Sequence, residues 1–346
     1  MQRHAVIIGA GIAGLATAVG LRAQGWSVDI HERAAGLPEG GTALGMWPEA
    51  MDALEALGVA PAVRSHAAVA RGGALLRPDG AVLGRISPSV EVHLVSRGRL
   101  LSALHDALPP GTVRWSSPLR ASDIPLGADL VVGADGIHSA VRQACWPTAG
   151  KRPLGTVAFR GVVPGVVAGV TETWGRGALF GITPSSDERT NWFACLPLAS
   201  SPGAGPGVAE ALRERFAAWH PGVLDIVSRL EDAEVDRREL FDVQVPGRFV
   251  HRGVALVGDA AHAMAPNLGR GACESLIDAV ALARAAGTAA DVSGALARYD
   301  RARRRRARRV VRAARLLNGV ATARRGTPLR DAAVRLVLPG GAPAVR

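Results

Sequence analysis

At 346 residues the chain is long enough for one large or two medium domains, and 48% hydrophobic residues with a mean hydropathy of +0.16 exclude disorder over most of its length. The net charge of +11 would suggest nucleic acid if it were spread over a face. However, ten arginines against Asp300 between Arg298 and Arg315 leave only about +2 for the rest, and no nucleic-acid-binding fold accompanies them, so no nucleic-acid partner is expected.

Apolar runs are all broken well short of the ~20 residues a membrane span needs, and the N-terminus runs directly into a strand, so a cytoplasmic protein with no membrane span is expected. Cys145, Cys195 and Cys273 are odd in number and widely spaced. They read as reduced thiols, with no metal site and no disulfide framework.

In chain order, Ala5-Val6-Ile7-Ile8 predicts a strand, Gly9-Ala10-Gly11-Ile12-Ala13-Gly14 a glycine turn, and Leu15, Val19 and Leu21 a helix. A second strand over Ser27 to His31 ends at Glu32 and completes a βαβ unit. Two further strand-to-glycine transitions, at Asp129 to Gly133 and Val254 to Gly258, each lead into a helix and can join the first sheet from far along the chain. Between about Lys151 and Phe249, short alternating segments predict antiparallel strands, with a helix near Val208 to Trp219.

The fold class expected is therefore α/β: a discontinuous Rossmann-type domain (residues 1–70, 96–150 and 250–320), an inserted antiparallel-sheet substrate domain (71–95 and 151–249), a C-terminal helix, and an irregular tail over 325–346. The arginine-rich run reads as a solvated helix packed on the nucleotide domain, because arginine stems cover apolar surface while their heads stay wet. Membrane-surface or acidic-partner binding is the alternative.

The glycines of the first turn have separate tasks. Gly9 permits the tight turn, Gly11 lets backbone approach a pyrophosphate, and Gly14 allows close helix–strand packing, with free N–H groups facing the anion. Glu32 is placed to accept hydrogen bonds from a ribose diol and would repel a 2′-phosphate, so the pocket suits FAD or NAD.

Two internal segments decide between them. Gly133-Ala134-Asp135-Gly136-Ile137-His138-Ser139-Ala140-Val141-Arg142 and the run from Gly258-Asp259 through Pro266-Asn267-Leu268-Gly269-Arg270-Gly271 resemble the internal signatures of the p-hydroxybenzoate hydroxylase-like FAD monooxygenases, in that family's order. The resemblance spans residues 4 to about 318. It implies FAD as cofactor, with NADH or NADPH as transient co-substrate. It also implies O2 activation through a flavin C4a-hydroperoxide that hydroxylates a small aromatic or polyketide-like substrate.

By the same resemblance, FAD is held by Gly9, Gly11, Ile12, Ala13, Gly14, Glu32, Arg33, Arg97, Asp135, Asp259, Pro266, Gly269, Gly271 and Ala272. Pro266, Asn267, Leu268 and Gly269 lie along the flavin edge, with no certain catalytic side chain. Asp259 would serve the ribityl hydroxyls, or simply cap a turn. Arg99, two residues from Arg97, could take its role, and Asp135 could be a purely structural turn residue. The helix starting near Gly271 would point its N-terminal dipole at the pyrimidine end of the ring.

The family often has Gln and Asn where Arg270 and Cys273 stand, which would alter the charge at the flavin edge. The interval from Leu101 to Asp129 is short for the family. The sole tyrosine, Tyr299, is on the C-terminal helix, so no phenol-activating tyrosine is expected, and His262 is more naturally a loop-stabilising group than a base. Trp47, Trp192 and Phe180 are candidate substrate-pocket aromatics, with Trp174 and Phe193 behind them.

A flavin halogenase would need an active-site lysine and a tryptophan pair, whereas the one lysine, Lys151, stands at a domain junction. A flavin oxidase or reductase without oxygen insertion, and a non-catalytic FAD-binding protein, are the remaining alternatives. The sequence leaves substrate identity and oligomeric state open.

Overall fold

The computed structural model describes residues 2–38, 41–125, 127–185 and 188–338. The chain opens with β1 (His4–Ile8), α1 (Ile12–Ala23), β2 (Ser27–His31), β3 (Ala43–Met46), α2 (Pro48–Ala56), α3 (Ala60–Arg64), β4 (Ala68–Leu76), β5 (Val82–Ser96) and α4 (Arg97–Asp106). It continues through β6 (Val113–Arg114), β7 (Leu130–Gly133), α5 (Ala140–Cys145), β8 (Lys151–Pro164), β9 (Thr171–Gly175), β10 (Ala178–Pro184), β11 (Arg189–Pro197), α6 (Val208–Phe216) and α7 (Pro221–Ser228). The last third holds β12 (Asp236–Val243), β13 (Val250–His251), β14 (Val254–Leu256), α8 (Asp259–His262), α9 (Gly271–Thr288), α10 (Val292–Ala321) and α11 (Thr327–Val337).

Six strands form one sheet in the order β13-β14-β7-β1-β2-β6. The four central pairings are parallel, including β14 on β7, so a strand from residue 254 onward does join the sheet begun at residue 4. The central strands β1, β7 and β14 are buried almost throughout and read as apolar runs, while β2 alternates buried Val28 and Ile30 with half-buried Ser27, Asp29 and His31. The core of this layer takes in Ile7, Leu15, Ile30, Val132, Leu256, Leu276 and Tyr299.

The second sheet has eight strands in the order β12-β8-β11-β10-β9-β4-β5-β3. It takes β3 from inside the span expected for the nucleotide domain, pairing Ala43 to Met46 antiparallel with β5. One face packs on α6 and α7 through Val157, Phe159, Phe180, Trp192, Phe216 and Val223. The other meets α10 through Trp174, Leu179, Cys195 and Ala321.

The tail expected to be irregular instead forms α11 over Thr327–Val337. Leu329, Ala333, Leu336 and Val337 recur at helical spacing with Pro328 in the first turn, a period the reading of an irregular tail passed over; that stripe is exposed, and Arg330 is the buried residue. Arg330 anchors the helix by donating to the Gly175 and Trp174 carbonyls. The remainder of that span, 339–346, lies outside the described residues. In α10, a continuous helix of 30 residues, the buried stripe runs Leu296, Tyr299, Arg303, Ala307, Val311, Ala314 and Asn318, so the arginine-rich segment does pack against the nucleotide domain.

Candidate active site

The first turn shows why glycine stands at each position. Gly9 has φ +104° and an added Cβ would lie 2.5 Å from the Ala134 carbonyl oxygen; at Gly14 it would lie 1.9 Å from the Gly9 oxygen. At Gly11 it would meet nothing within 4 Å. The first two are packing constraints between β1, β7 and α1. The third leaves open space directly over a helix N-terminus that no side chain caps, a place for an anion.

Glu32, at the end of β2, accepts from the backbone N–H of Ala10 at 2.7 Å and of Ala34 at 2.8 Å, which fixes its carboxylate beside the turn. A carboxylate has about four acceptor sites, so two remain for hydroxyls. Glu32, Gly11, Leu37, Arg97 and Trp115 line a cavity of about 140 Å³. Arg97 therefore stands on this cavity, while Arg99 is outside its lining and its N–H donates to the Ser96 cap of α4. Arg33, next to Glu32, is exposed. A larger depression of about 420 Å³, near Arg22, Ser27 and Thr112, sits at the N-terminal ends of β1 and β2, away from every motif. In open α/β sheets ligands bind at the opposite, carboxyl ends.

The other two motifs reach the same end of the sheet. Asp135 follows β7; its Oδ2 accepts from Ala140 and Val141 N–H at 2.6 and 3.2 Å, bracing the start of α5, while its buried Oδ1 has no partner. Arg142, buried, donates to the Ala260 carbonyl at 2.8 Å and to the Ala149 carbonyl at 2.9 Å, and so ties the second motif to the third. Asp259 begins α8 with an exposed carboxylate that makes no side-chain hydrogen bond among the described residues. Gly258 before it has φ +57°, and a Cβ there would strike Ala13 of the first motif at 2.7 Å.

Beyond α8, Pro266–Leu268 forms a short 3₁₀ turn ending at Gly269 with φ +59°. The Asn267 Oδ1 is buried without a partner. The 18-residue helix α9 starts at Gly271, again uncapped, and a Cβ at Gly271 would meet nothing within 4 Å; Ala272 is half-buried in its first turn. Trp47 stands close by: its Nε1 is 3.6 Å from where a Gly269 Cβ would sit and 3.8 Å from that of Gly45.

The two departures from the family pattern do not add charge to this edge. Arg270 pairs with Glu49 at 3.1 Å and Glu274 at 3.3 Å. Cys273 is buried with its thiol toward the Gly45 carbonyl, and burial raises its pKa, so it stays a neutral thiol.

Sequence reasoning missed the charges behind the site. Asp278 of α9 accepts from Gly258 N–H at 2.9 Å, from Arg303 Nε at 2.6 Å, and meets His262 Nε2 at 2.5 Å, all buried. Burial works to raise the Asp278 pKa, but His262 and Arg303 hold it down at about 2. For His262 burial pulls downward, and the Asp278 charge and hydrogen bond reverse that, raising its pKa. His262 is thus a brace for the loop. The available signal was Glu274 and Asp278 four apart on an apolar helix, with Arg303 on the one buried stripe of α10. Tyr299 donates to the Leu256 carbonyl at 2.7 Å from inside the core. Lys151 holds its ammonium 4.2 Å over the Phe241 ring.

Trp192 and Phe180 do not line this site. Their rings stack 5.7 Å apart within the core under α6 and α7, on the sheet face turned away from α10. Trp192 pairs across β10 with Ile182 on that face, so its neighbour Phe193 points the other way. Phe193 is half-buried and packs with Trp174 and Leu179, beside α10.

An uncapped helix start at Gly11 beneath open space, the Glu32 carboxylate beside it, an exposed Asp259 and a second uncapped helix start at Gly271 are the features expected of an FAD-binding oxidoreductase. The chain belongs to the FAD binding domain family, whose model matches residues 2–107 and 113–314, and is an FAD-dependent monooxygenase of the p-hydroxybenzoate hydroxylase-like kind. It is 34% identical over 334 residues to the aurachin C monooxygenase/isomerase of Stigmatella aurantiaca, covering 87% of this chain and 85% of that one. It is 28% identical to the FAD-dependent urate hydroxylase of Klebsiella pneumoniae, covering 90% of this chain and 88% of that one. The structure of Klebsiella pneumoniae HpxO complexed with FAD and uric acid superposes with a TM-score of 0.85 at 25% identity, covering 97% of this chain and 92% of that one.

Proposed function

We propose that the chain uses NAD(P)H and O2 to hydroxylate a small aromatic substrate held between the Pro266–Gly269 turn and the inner face of the eight-stranded sheet. The observation that carries this reading is the pair of uncapped helix starts, at Gly11 and Gly271, each with open space where a side chain would be. One suits a pyrophosphate and the other the electron-rich end of a reduced ring.

The residues present fit FAD. Glu32 would accept from the ribose hydroxyls, Arg97 lines the cavity beside it, and the exposed carboxylate of Asp259 would accept from the ribityl chain. The orphaned Asn267 Oδ1 is a further acceptor at the ring edge. Bound there, FAD supplies hydride acceptance from NAD(P)H and the activation of O2. The uncapped α9 N-terminus would stabilise negative charge on the reduced cofactor, and Arg270 beside it is paired with Glu49 and Glu274. Trp47, beside Gly269, would shield a ring bound there from water. Tyr299 is held in the core by the Leu256 carbonyl and His262 by Asp278, so neither deprotonates the substrate, which favours electron-rich rings that need no activating base.

Purified protein loaded with FAD should oxidise NADH or NADPH faster in the presence of some members of an aromatic panel. Oxidation that no phenol, amine or heteroaromatic stimulates would overturn the reading, and stimulated oxidation yielding only hydrogen peroxide would mark an oxidase.

A further inference from the structure

We propose that Glu172 and Phe193 form the recognition end of the substrate site, selecting a neutral planar ring that presents an N–H or O–H donor and turning away rings that carry a carboxylate. The inference rests on the hydroxylase reading and adds to it the substrate's chemistry.

Four strands set Leu75, Glu172, Gly181 and Phe193 side by side, since Leu75 pairs with Glu172, Glu172 with Gly181 and Gly181 with Phe193. Residues in register share a face. Gly181 has no side chain because the Phe193 ring lies over it; a Cβ there would be 2.0 Å from Phe193 Cζ. The ring therefore lies over β10, the strand between Phe193 and Glu172. Two residues along β11, Asn191 accepts from the Ala43 N–H of β3 at 3.1 Å, and β3 leads directly to Trp47 beside Gly269. At the other end Trp174, Leu179 and Cys195 close the face against α10. Glu172 and Phe193, both half-buried, lie between the closed end and the flavin edge. One Glu172 oxygen accepts from Trp174 Nε1, and the other has no partner among the described residues.

An aromatic platform with a carboxyl at its margin is suited to a flat ring with a donor. Burial raises the Glu172 pKa to about 7, with the Trp174 hydrogen bond opposing. Glu172 has no ion pair among the described residues. Cys195 from β11 is held neutral, its own pKa pushed up to about 12 by burial. The Arg160–Asp236 pair ends the row on β8 and β12, and Arg315 of α10 is paired with Asp242. From α11 and its C-cap, Val334 and Leu338 pack at the Leu75 end of the row, where Leu75 pairs with Gly84, the Arg335 Nε is buried without a partner among the described residues, and Arg330 lies over the Trp174 ring and is paired with Asp331. Ionised, Glu172 strengthens a hydrogen bond from a donor and repels an anionic ring.

The test titrates FAD-loaded protein with 2-quinolone, a neutral ring with one N–H, and with 2-quinolone-4-carboxylate, following the flavin absorbance. Preference for the neutral probe should rise at least tenfold from pH 6 to pH 8.5 in the wild type, and stay flat in Glu172→Gln. A merely structural Glu172 would weaken both probes alike, leaving their ratio unmoved. A ratio independent of pH in the wild type overturns the proposal, as does the same rise in Glu172→Gln, or the failure of both probes to perturb the wild-type flavin at millimolar concentration. The wild-type profile decides even if Glu172→Gln does not fold. The hydroxylase reading fails separately, through absent NAD(P)H oxidation.

Discussion

Arg303 on α10 donates through Nε to Asp278 on α9 at 2.6 Å, with both side chains buried. The other Asp278 oxygen takes the Gly258 N–H and the His262 ring, so one carboxylate pins the turn that presents Asp259. Arg303 also reaches Glu274 in the first turn of α9. A charge network outside the cofactor site thus sets the position of two elements that line it.

Removing Arg303 leaves buried Asp278 with His262 as its only cationic partner and Glu274 with the more exposed Arg270 and Arg306. Arg303→Met is expected to lose about 3–5 kcal/mol of stability in chemical denaturation. Asp278 titrates at about 2 in the fold against an ordinary 3.8, so its contribution is present above pH 3.8 and lost as the pH falls through 2. A loss below 1 kcal/mol for Arg303→Met would show that the network is not what holds the turn.

The first glycine motif separates packing from binding. Gly14→Ala places a methyl 1.9 Å from the Gly9 oxygen and should fold poorly. Gly11→Ala meets open space at an ordinary φ of −75°, and should fold with near wild-type melting in the absence of FAD yet hold the cofactor at least tenfold more weakly. Titration of FAD by flavin fluorescence reads this directly. Equal affinity in Gly11→Ala would place the pyrophosphate elsewhere.

Trp192 and Phe193 should respond differently to truncation. Trp192→Ala opens a cavity under α6 and α7, and should cost about 3–5 kcal/mol whatever the substrate. Phe193→Leu should leave the melting temperature within a few degrees while raising KM for the aromatic substrate. If Trp192→Leu changed KM without loss of stability, the facing of β11 would be wrong.

Glu172 gives a stability signature in the opposite sense to an ordinary ion-paired carboxylate. Its folded pKa is raised from 4.5 to about 7, so the fold binds the proton more tightly than the unfolded chain. The stabilisation is full below pH 4.5 and is lost as the pH rises through 7, a fall of about 3 kcal/mol relative to Glu172→Gln, at 1.36 kcal/mol per unit. Urea denaturation of both proteins at pH 5 and pH 8 measures it. A difference that does not change with pH would mean that Glu172 titrates normally.

Much of the nucleotide-binding half was legible because its glycines are steric necessities. Gly9 and Gly14 stand where backbone from another element comes within contact, and such positions mark themselves in sequence. The facing of β11 was not legible. Asn191 to Leu196 is buried on both sides except at Phe193, so it has no polar alternation to show which aromatic turns inward, and a shift of one residue exchanges Trp192 for Phe193. Arg303 was hidden for another reason. It sits among ten arginines between residues 298 and 315, and only the helical period through Tyr299, Ala307 and Val311 distinguishes it. The departures at Arg270 and Cys273 could be read, but not their neutralisation by Glu49, Glu274 and burial, since Glu49 is 221 residues away in sequence.

The central claim is that reduced flavin in this site inserts oxygen into an aromatic ring. Turnover under 18O2 with NAD(P)H and a substrate that stimulates its oxidation tests it most directly, by mass spectrometry of the product. One 18O atom per product molecule is expected, with none acquired from labelled water. A product free of 18O, formed alongside stoichiometric hydrogen peroxide, would contradict it.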